Sequence, residues 1–378
     1  MRHVYLDYNT TTPVAPAVRD AMWSFLGDHY GSPASSYALG RATQEAVEDA
    51  REQVGALIGA DREEIVFTSG GTESNNFALK GIMLRQAIEL GGHLVVSNIE
   101  HGAVMEPARF LERLGYELTI VPVDSQGCVS PQAVAEALRP NTLLVSVVHA
   151  NHEVGSIQPI AEIAELCRSR GIPLHADAAQ SAGKIRVNVD ELGVDLLSLS
   201  AHKMYGPKGV GALFVRGGMR LEPLIHGIGH EGGLRGGMEN VPGIMGMGRA
   251  ASLAAKMLDE IQPRMTELSE RLLDQLRDGI GDELRVHGDL APRLPNTLSV
   301  NFPGVNAAKL LQLAPEVAAW TAASPYDDLA GASPTLNAMK VRPEHSVGTV
   351  RLSVGWYTAE DEIDFAASRL LDAWERLK

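Results

Sequence analysis

Five short apolar runs, separated by turns and helical patterns, constrain this chain more than any single motif. They are "HLVVSN" (93–98), "TLLVSVVHA" (142–150), "IPLHAD" (172–177), "VDLLSLS" (194–200) and "VGALFV" (210–215). Each is too short for a helix and too uniformly apolar for a strand with one wet face. Helical patterns stand between several of them, as in "IAEIAELCRSRG" (160–171). Buried strands joined by crossover helices predict an α/β fold, a large domain built on a mostly parallel mixed sheet. "EIVFTSG" (64–70) and "ELTIVPVD" (117–124) add two more strands. Helices are expected over 47–60, 74–89 and 103–115, the last interrupted near Pro107. Ligands of such sheets gather where strands end.

From about residue 250 the texture changes to a smaller α+β domain. "ASLAAKMLDEIQPRMTELSERLLDQL" (251–276) reads as one amphipathic helix, bent at Pro263. Short segments follow, "NTLSVNF" and "TVRLSV", then a terminal helix, "AEDEIDFAASRLLDAWERL". The expected division is 13–250 for the large domain, and 1–12 plus 251–378 for the small one.

Charge and cysteine usage exclude several classes. The formal net charge is -14, with no basic run, which excludes a nucleic-acid footprint and disfavours anionic membranes. No apolar stretch reaches membrane-spanning length. The first residues, "MRHVYLDYNTTTPV", carry Asp7 and Asn9 where a signal peptide needs its apolar run. Two cysteines, Cys128 and Cys167, form no CxxC pair and no metal cluster. A cytoplasmic protein without a metal site is expected.

Four strand ends carry chemistry. "FTSGGTESNN" (67–76) opens a helix, and Gly71 and Thr72 can face a phosphate or simply cap the helix. Asp177 follows a strand with Gln180 close by; it can bind a metal, act as a base, or pair with a protonated ring nitrogen. His101 can stack on a flat cofactor or move a proton. His149 and His152 read equally well as loop histidines. Lys203, in "SAHKMYGPKG", sits between two apolar strands and must pair, reach water or react. A phosphate cradle, a carboxylate and a reactive lysine together match pyridoxal 5'-phosphate (PLP).

Seven motifs in order, "YLDYNTTTP", "FTSGGTESNN", "EHGAV", "HADAAQSAGK", "SAHKMYGPKGVGAL", "GLRGGMENVPGI" and "VRLSVG", resemble the NifS/IscS-type cysteine desulfurases of the class V aminotransferase superfamily. The resemblance spans nearly the whole chain and implies a fold-type I PLP enzyme acting on a small amino acid. By that likeness Lys203 bonds the cofactor aldehyde and moves the Cα proton, and His101 stacks on the ring. Asp177 would keep the pyridine nitrogen protonated, and Gln180 would meet the phenolic oxygen. Gly71, Thr72, Ser200 and His202 would hold the phosphate, and Arg351 the substrate carboxylate. A homodimer is implied too.

The departures bear on the reaction. The family's mobile loop carries a cysteine that takes sulfur from substrate; here 317–341 contains none, and Pro325 stands near its place. His152 replaces an asparagine near the ring oxygen and the substrate carboxylate. Met238 replaces a threonine that reaches the neighbouring subunit's phosphate, and "VGWYT" replaces "GRFT". A β-elimination or C–S/C–Se lyase reaction without a protein persulfide is therefore expected. The alternatives are a desulfurase with an unusual thiol, or one from a sulfur-acceptor protein, a class V aminotransferase, and a noncatalytic scaffold.

Overall fold

The computed structural model describes residues 2–86, 91–321 and 333–378. The apolar runs pair into a seven-stranded sheet, ordered Ile65–Thr68, Gly211–Val215, Leu196–Ser200, Leu174–Asp177, Thr142–Val148, His93–Ser97 and Glu117–Val121. Gly211–Val215 runs antiparallel to both of its neighbours, and every other pairing is parallel. The mostly parallel mixed sheet is thus observed, and six of its strands end on one edge. Gly211 is needed where it stands: a Cβ there would lie 2.6 Å from the Leu199 oxygen and 2.7 Å from Gly70 backbone.

Two of the helices that differ from expectation do so for a plain local reason. The first runs Ala38–Ile58 and starts nine residues before 47, because Gly40 and Thr43 occupy its buried face. Small and polar residues there conceal the apolar period. Gly102–Arg113 continues through Pro107 without interruption. The carbonyl that Pro107 cannot serve, that of Ala103, accepts instead from Asn76 Nδ2 at 3.4 Å.

Val241–Ile280 is a single helix of 40 residues, with Pro263 inside it. It crosses residue 250: Val241, Ile244 and Met247 pack in the core under the large sheet, while Leu268, Leu272 and Leu276 pack in a second core. That second core includes Leu6, Leu352 and Ile363. Beside it lies an antiparallel sheet ordered Arg285–Val286, Thr297–Asn301, Thr349–Ser353 and Trp320–Thr321. Val4–Tyr5 pairs in parallel with Val317–Ala318. Among the described residues no helix is long and apolar enough to cross a membrane.

Candidate active site

A cavity of about 430 Å³ opens where the parallel strands end. All ten residues singled out in the sequence line it: Gly71, Thr72, His101, His152, Asp177, Gln180, Ser200, His202, Lys203 and Arg351. Topology accounts for this. Asp177 and Ser200 are the last residues of their strands, and His101, His152 and Lys203 follow strands by a few residues.

Lys203 ends a short turn, Ala201–Lys203, and its Nζ donates to the carbonyls of Asn9 (2.6 Å) and Thr10 (2.8 Å). Among the described residues no carboxylate is bonded to it. Burial, with Arg351 beside it, lowers its pKa to about 8, against the pull of Asp177 and Asp7. A lysine in that range offers a neutral amine near physiological pH.

Asp177 is held at the cavity wall by two donors. Asn75 Nδ2 reaches Oδ2 at 2.7 Å, and the Ala179 N–H reaches Oδ1 at 2.9 Å. Beneath it, Glu100 is buried, with Oε1 accepting from the Val148 N–H at 2.7 Å and the Ser97 hydroxyl at 2.5 Å. Burial first, then the Asp177 charge, raises Glu100 to about 8. At neutral pH, Glu100 is therefore held in its protonated form.

Gly71 and Thr72, the first two residues of the helix Gly71–Gln86, line the cavity, so the positive end of that helix borders it. A side chain at Gly71 would press on Ser200, its Cβ 3.3 Å from that of Ser200. His202 Nδ1 meets Thr11 Oγ1 at 3.1 Å, and burial, then Lys203 and Lys208, lowers its pKa to about 4. It is a neutral hydrogen-bonding group there.

His101 caps its helix, Nδ1 accepting from the Ala103 N–H at 3.0 Å, which leaves Nε2 to carry the proton. Its ring meets that of His152 edge-on, with centroids 5.3 Å apart. Burial, helped by His101, Arg351 and Lys203, lowers the His152 pKa well below its usual value. His152 Nδ1 is buried with no partner among the described residues, as is Asn75 Oδ1. Buried orphans of this kind call for a partner from the cavity itself.

Arg351 is already engaged. Nη2 binds Asp7 Oδ1 at 2.5 Å and Thr10 Oγ1 at 2.8 Å, Nη1 binds the His152 carbonyl at 3.0 Å, and Trp320 lies 4.9 Å from the guanidinium. Its Nε is buried without a partner among the described residues. An incoming carboxylate competes with Asp7 for this fork.

Among the described residues the set fits PLP: a lysine without a carboxylate partner, a held carboxylate, a helix N-terminus for a phosphate, and unpaired polar atoms in the wall. Among the described residues no cluster of His, Cys, Asp or Glu could hold a metal. Neither cysteine reaches the cavity. Cys167 is buried in the helix Ile160–Ser169, its thiol raised to about 12 by burial, and Cys128 lies in a turn closed by Asp124. Pro325 and most of the 320–335 loop lie outside the described residues.

Asn9, Thr10, Asn75 and Trp320 line the cavity without having been singled out. Asn75 alone had a readable signal: three residues after Thr72 on a helix, it shares that residue's face. Of the other departures, Met238 is 62% exposed, and Trp356 is buried, stacked on Tyr205 at 3.9 Å.

Comparison with known proteins agrees with this geometry. The family model described as aminotransferase class-V matches residues 4–365. The chain is 44% identical over 378 residues to the cysteine desulfurase IscS of Dictyoglomus turgidum, covering 100% of this chain and 94% of the relative. It is 45% identical over 366 residues to the cysteine desulfurase IscS of Anaeromyxobacter dehalogenans, covering 96% and 90%. Among solved structures, a NifS-like protein superposes with a TM-score of 0.93 at 36% identity, over 100% of both chains. SspA in complex with cysteine gives 0.83 at 34%, over 95% of this chain and 100% of that one.

Proposed function

Because the chain belongs to the aminotransferase class-V family and is a PLP-dependent enzyme, we propose that it breaks the Cβ–S bond of cysteine, or the matching C–Se bond, by β-elimination without a protein persulfide. One observation carries the reading: the cavity assembles a base, an acid partner and an anion cradle, while both cysteines lie elsewhere. The substrate class rests on relatives named cysteine desulfurase and on a related structure holding cysteine.

PLP, when bound, supplies an aldehyde for the substrate amino group and a ring that accepts the charge left at Cα. Lys203 Nζ takes the Cα proton, and its pKa near 8 suits that task. Asp177, steadied by Asn75 and Ala179, keeps a proton on the ring nitrogen. Gly71, Thr72, Ser200 and His202 hold the phosphate, and His101 covers the ring. Arg351 takes the substrate carboxylate in exchange for Asp7. His152, neutral and with a free buried nitrogen, lies beside that exchange. Cysteine and water give pyruvate, ammonia and hydrogen sulfide.

The Cys128→Ala/Cys167→Ala double variant is expected to release pyruvate and sulfide from cysteine in equal amounts, at the rate of the unaltered chain. Alanine in place of pyruvate would overturn elimination. It would favour the second reading that the relatives' names support, transfer of sulfur to a thiol supplied by a partner protein.

The homodimer belongs to the same proposal, supported by the exposure of Trp23, Leu26, Tyr30 and Ile228. Sedimentation of the purified protein is expected to give twice the chain mass; a monomer at micromolar concentration contradicts it.

A further inference from the structure

A second lysine is buried beside the first. Lys184 follows Gly183, whose φ of +77° turns the chain inward; a Cβ on Gly183 would lie 2.9 Å from that of Met204. The Lys184 amine donates to Gln180 Oε1 at 2.7 Å and Asn9 Oδ1 at 2.8 Å. Among the described residues it touches no carboxylate, and the charged groups acting on it are the cations Lys203 and Arg351. Burial, aided by both, holds it well below the usual lysine range. Both of its contacts are acceptors, so the amine serves them as a donor.

The rest of the Gln180 carboxamide is equally constrained. Its Nε2 donates to the Asn9 carbonyl at 2.8 Å, the same oxygen that receives Lys203 Nζ. Turned over, the carboxamide would set its oxygen against that carbonyl and its NH2 against the Lys184 amine. Only one orientation satisfies both neighbours, and it leaves the second Nε2 hydrogen without a partner among the described residues, in a residue that lines the cavity. Asn9 is itself fixed, with Oδ1 accepting from Asn296 and Nδ2 donating to Thr297 Oγ1.

We propose that Lys184 is a positioning residue: its amine, with the Asn9 carbonyl, fixes Gln180 as a hydrogen-bond donor toward the cofactor. The proposal rests on the reading that Gln180 meets the phenolic oxygen of the ring. A donor at that oxygen favours its deprotonated form, so losing the donor raises the pH at which the bound cofactor titrates.

The test is the pH titration of the visible absorption of the holoenzyme, a readout that packing alone does not move. Lys184→Met, with Lys184→Ala in parallel against a packing defect, is expected to raise the midpoint by about one pH unit, about tenfold in proton affinity. Gln180→Leu is expected to raise it equally, and Lys184→Gln, which keeps a neutral donor, to return most of the shift. A Gln180→Leu shift with both Lys184→Met and Lys184→Ala unshifted would overturn the role of Lys184 while leaving Gln180 in place. No shift in any variant would remove the Gln180 contact, and the proposal with it.

Discussion

Lys203→Ala is expected to slow pyruvate formation from cysteine by about 10²–10⁴-fold, the usual loss when a positioned proton-transfer group is removed. Fold and stability should survive, because the lost contacts are hydrogen bonds to two backbone carbonyls, those of Asn9 and Thr10, not an ion pair. The same side chain sets a pH dependence with a definite sign. The neutral amine is the form that reacts with an aldehyde, and it grows as pH rises through about 8. Covalent uptake of PLP by cofactor-free protein should therefore accelerate across that range, with its midpoint near 8, and be absent in Lys203→Ala. Uptake that is flat from pH 6 to about 9, or unchanged in the variant, would show that another amine is involved.

The second large effect is on stability and lies behind the phosphate cradle. The Glu231 side chain is buried at 2% exposure, the residue has a φ of +49°, and its carboxylate takes both Arg51 Nη atoms, at 2.6 and 3.0 Å, as well as the Phe67 N–H at 2.8 Å. Phe67 lies four residues before Gly71. Glu231→Ala strands the Arg51 guanidinium, and breaking such a pair costs about 3–5 kcal/mol. Urea unfolding of the two proteins measures it. Arg51→Met/Glu231→Leu, which removes both charges, is expected to recover most of the loss. A single-variant loss under about 1 kcal/mol would mean that water reaches the pair.

The large sheet and the place of Lys203 at its edge were both legible from one physical cause. Buried parallel strands are apolar along their length, so polar residues at or just past the end of such a run, as with Asp177, Ser200 and Lys203, mark the edge where ligands bind. What escaped was pairing at a distance. Arg351 meets Asp7 across 344 positions, Lys184 meets Asn9 across 175, and Asn75 meets Asp177 across 102. No periodicity encodes such partners; Arg351 read as a free clamp because its occupant sits near the other end of the chain. Helix limits failed where small residues face inward, as Gly40 and Thr43 do. Pro107 read as a break because the side chain that serves the freed carbonyl, Asn76, comes from another helix.

The pairing of residues 4–9 with residues 317–353 has a consequence for how the protein is made. Val4–Tyr5 lies against Val317–Ala318, Leu6 accepts the Ser353 N–H, and Asn9 donates its N–H to Ser353 Oγ. At ribosomal speeds of about 5–20 residues per second, the first strand waits on the order of tens of seconds for its partner to emerge. During that interval Asn9 lacks its bond to Ser353 and Asp7 its bond to Arg351. The newborn chain thus completes its sheet of parallel strands well before Trp320 and Arg351 can close the wall of the cavity.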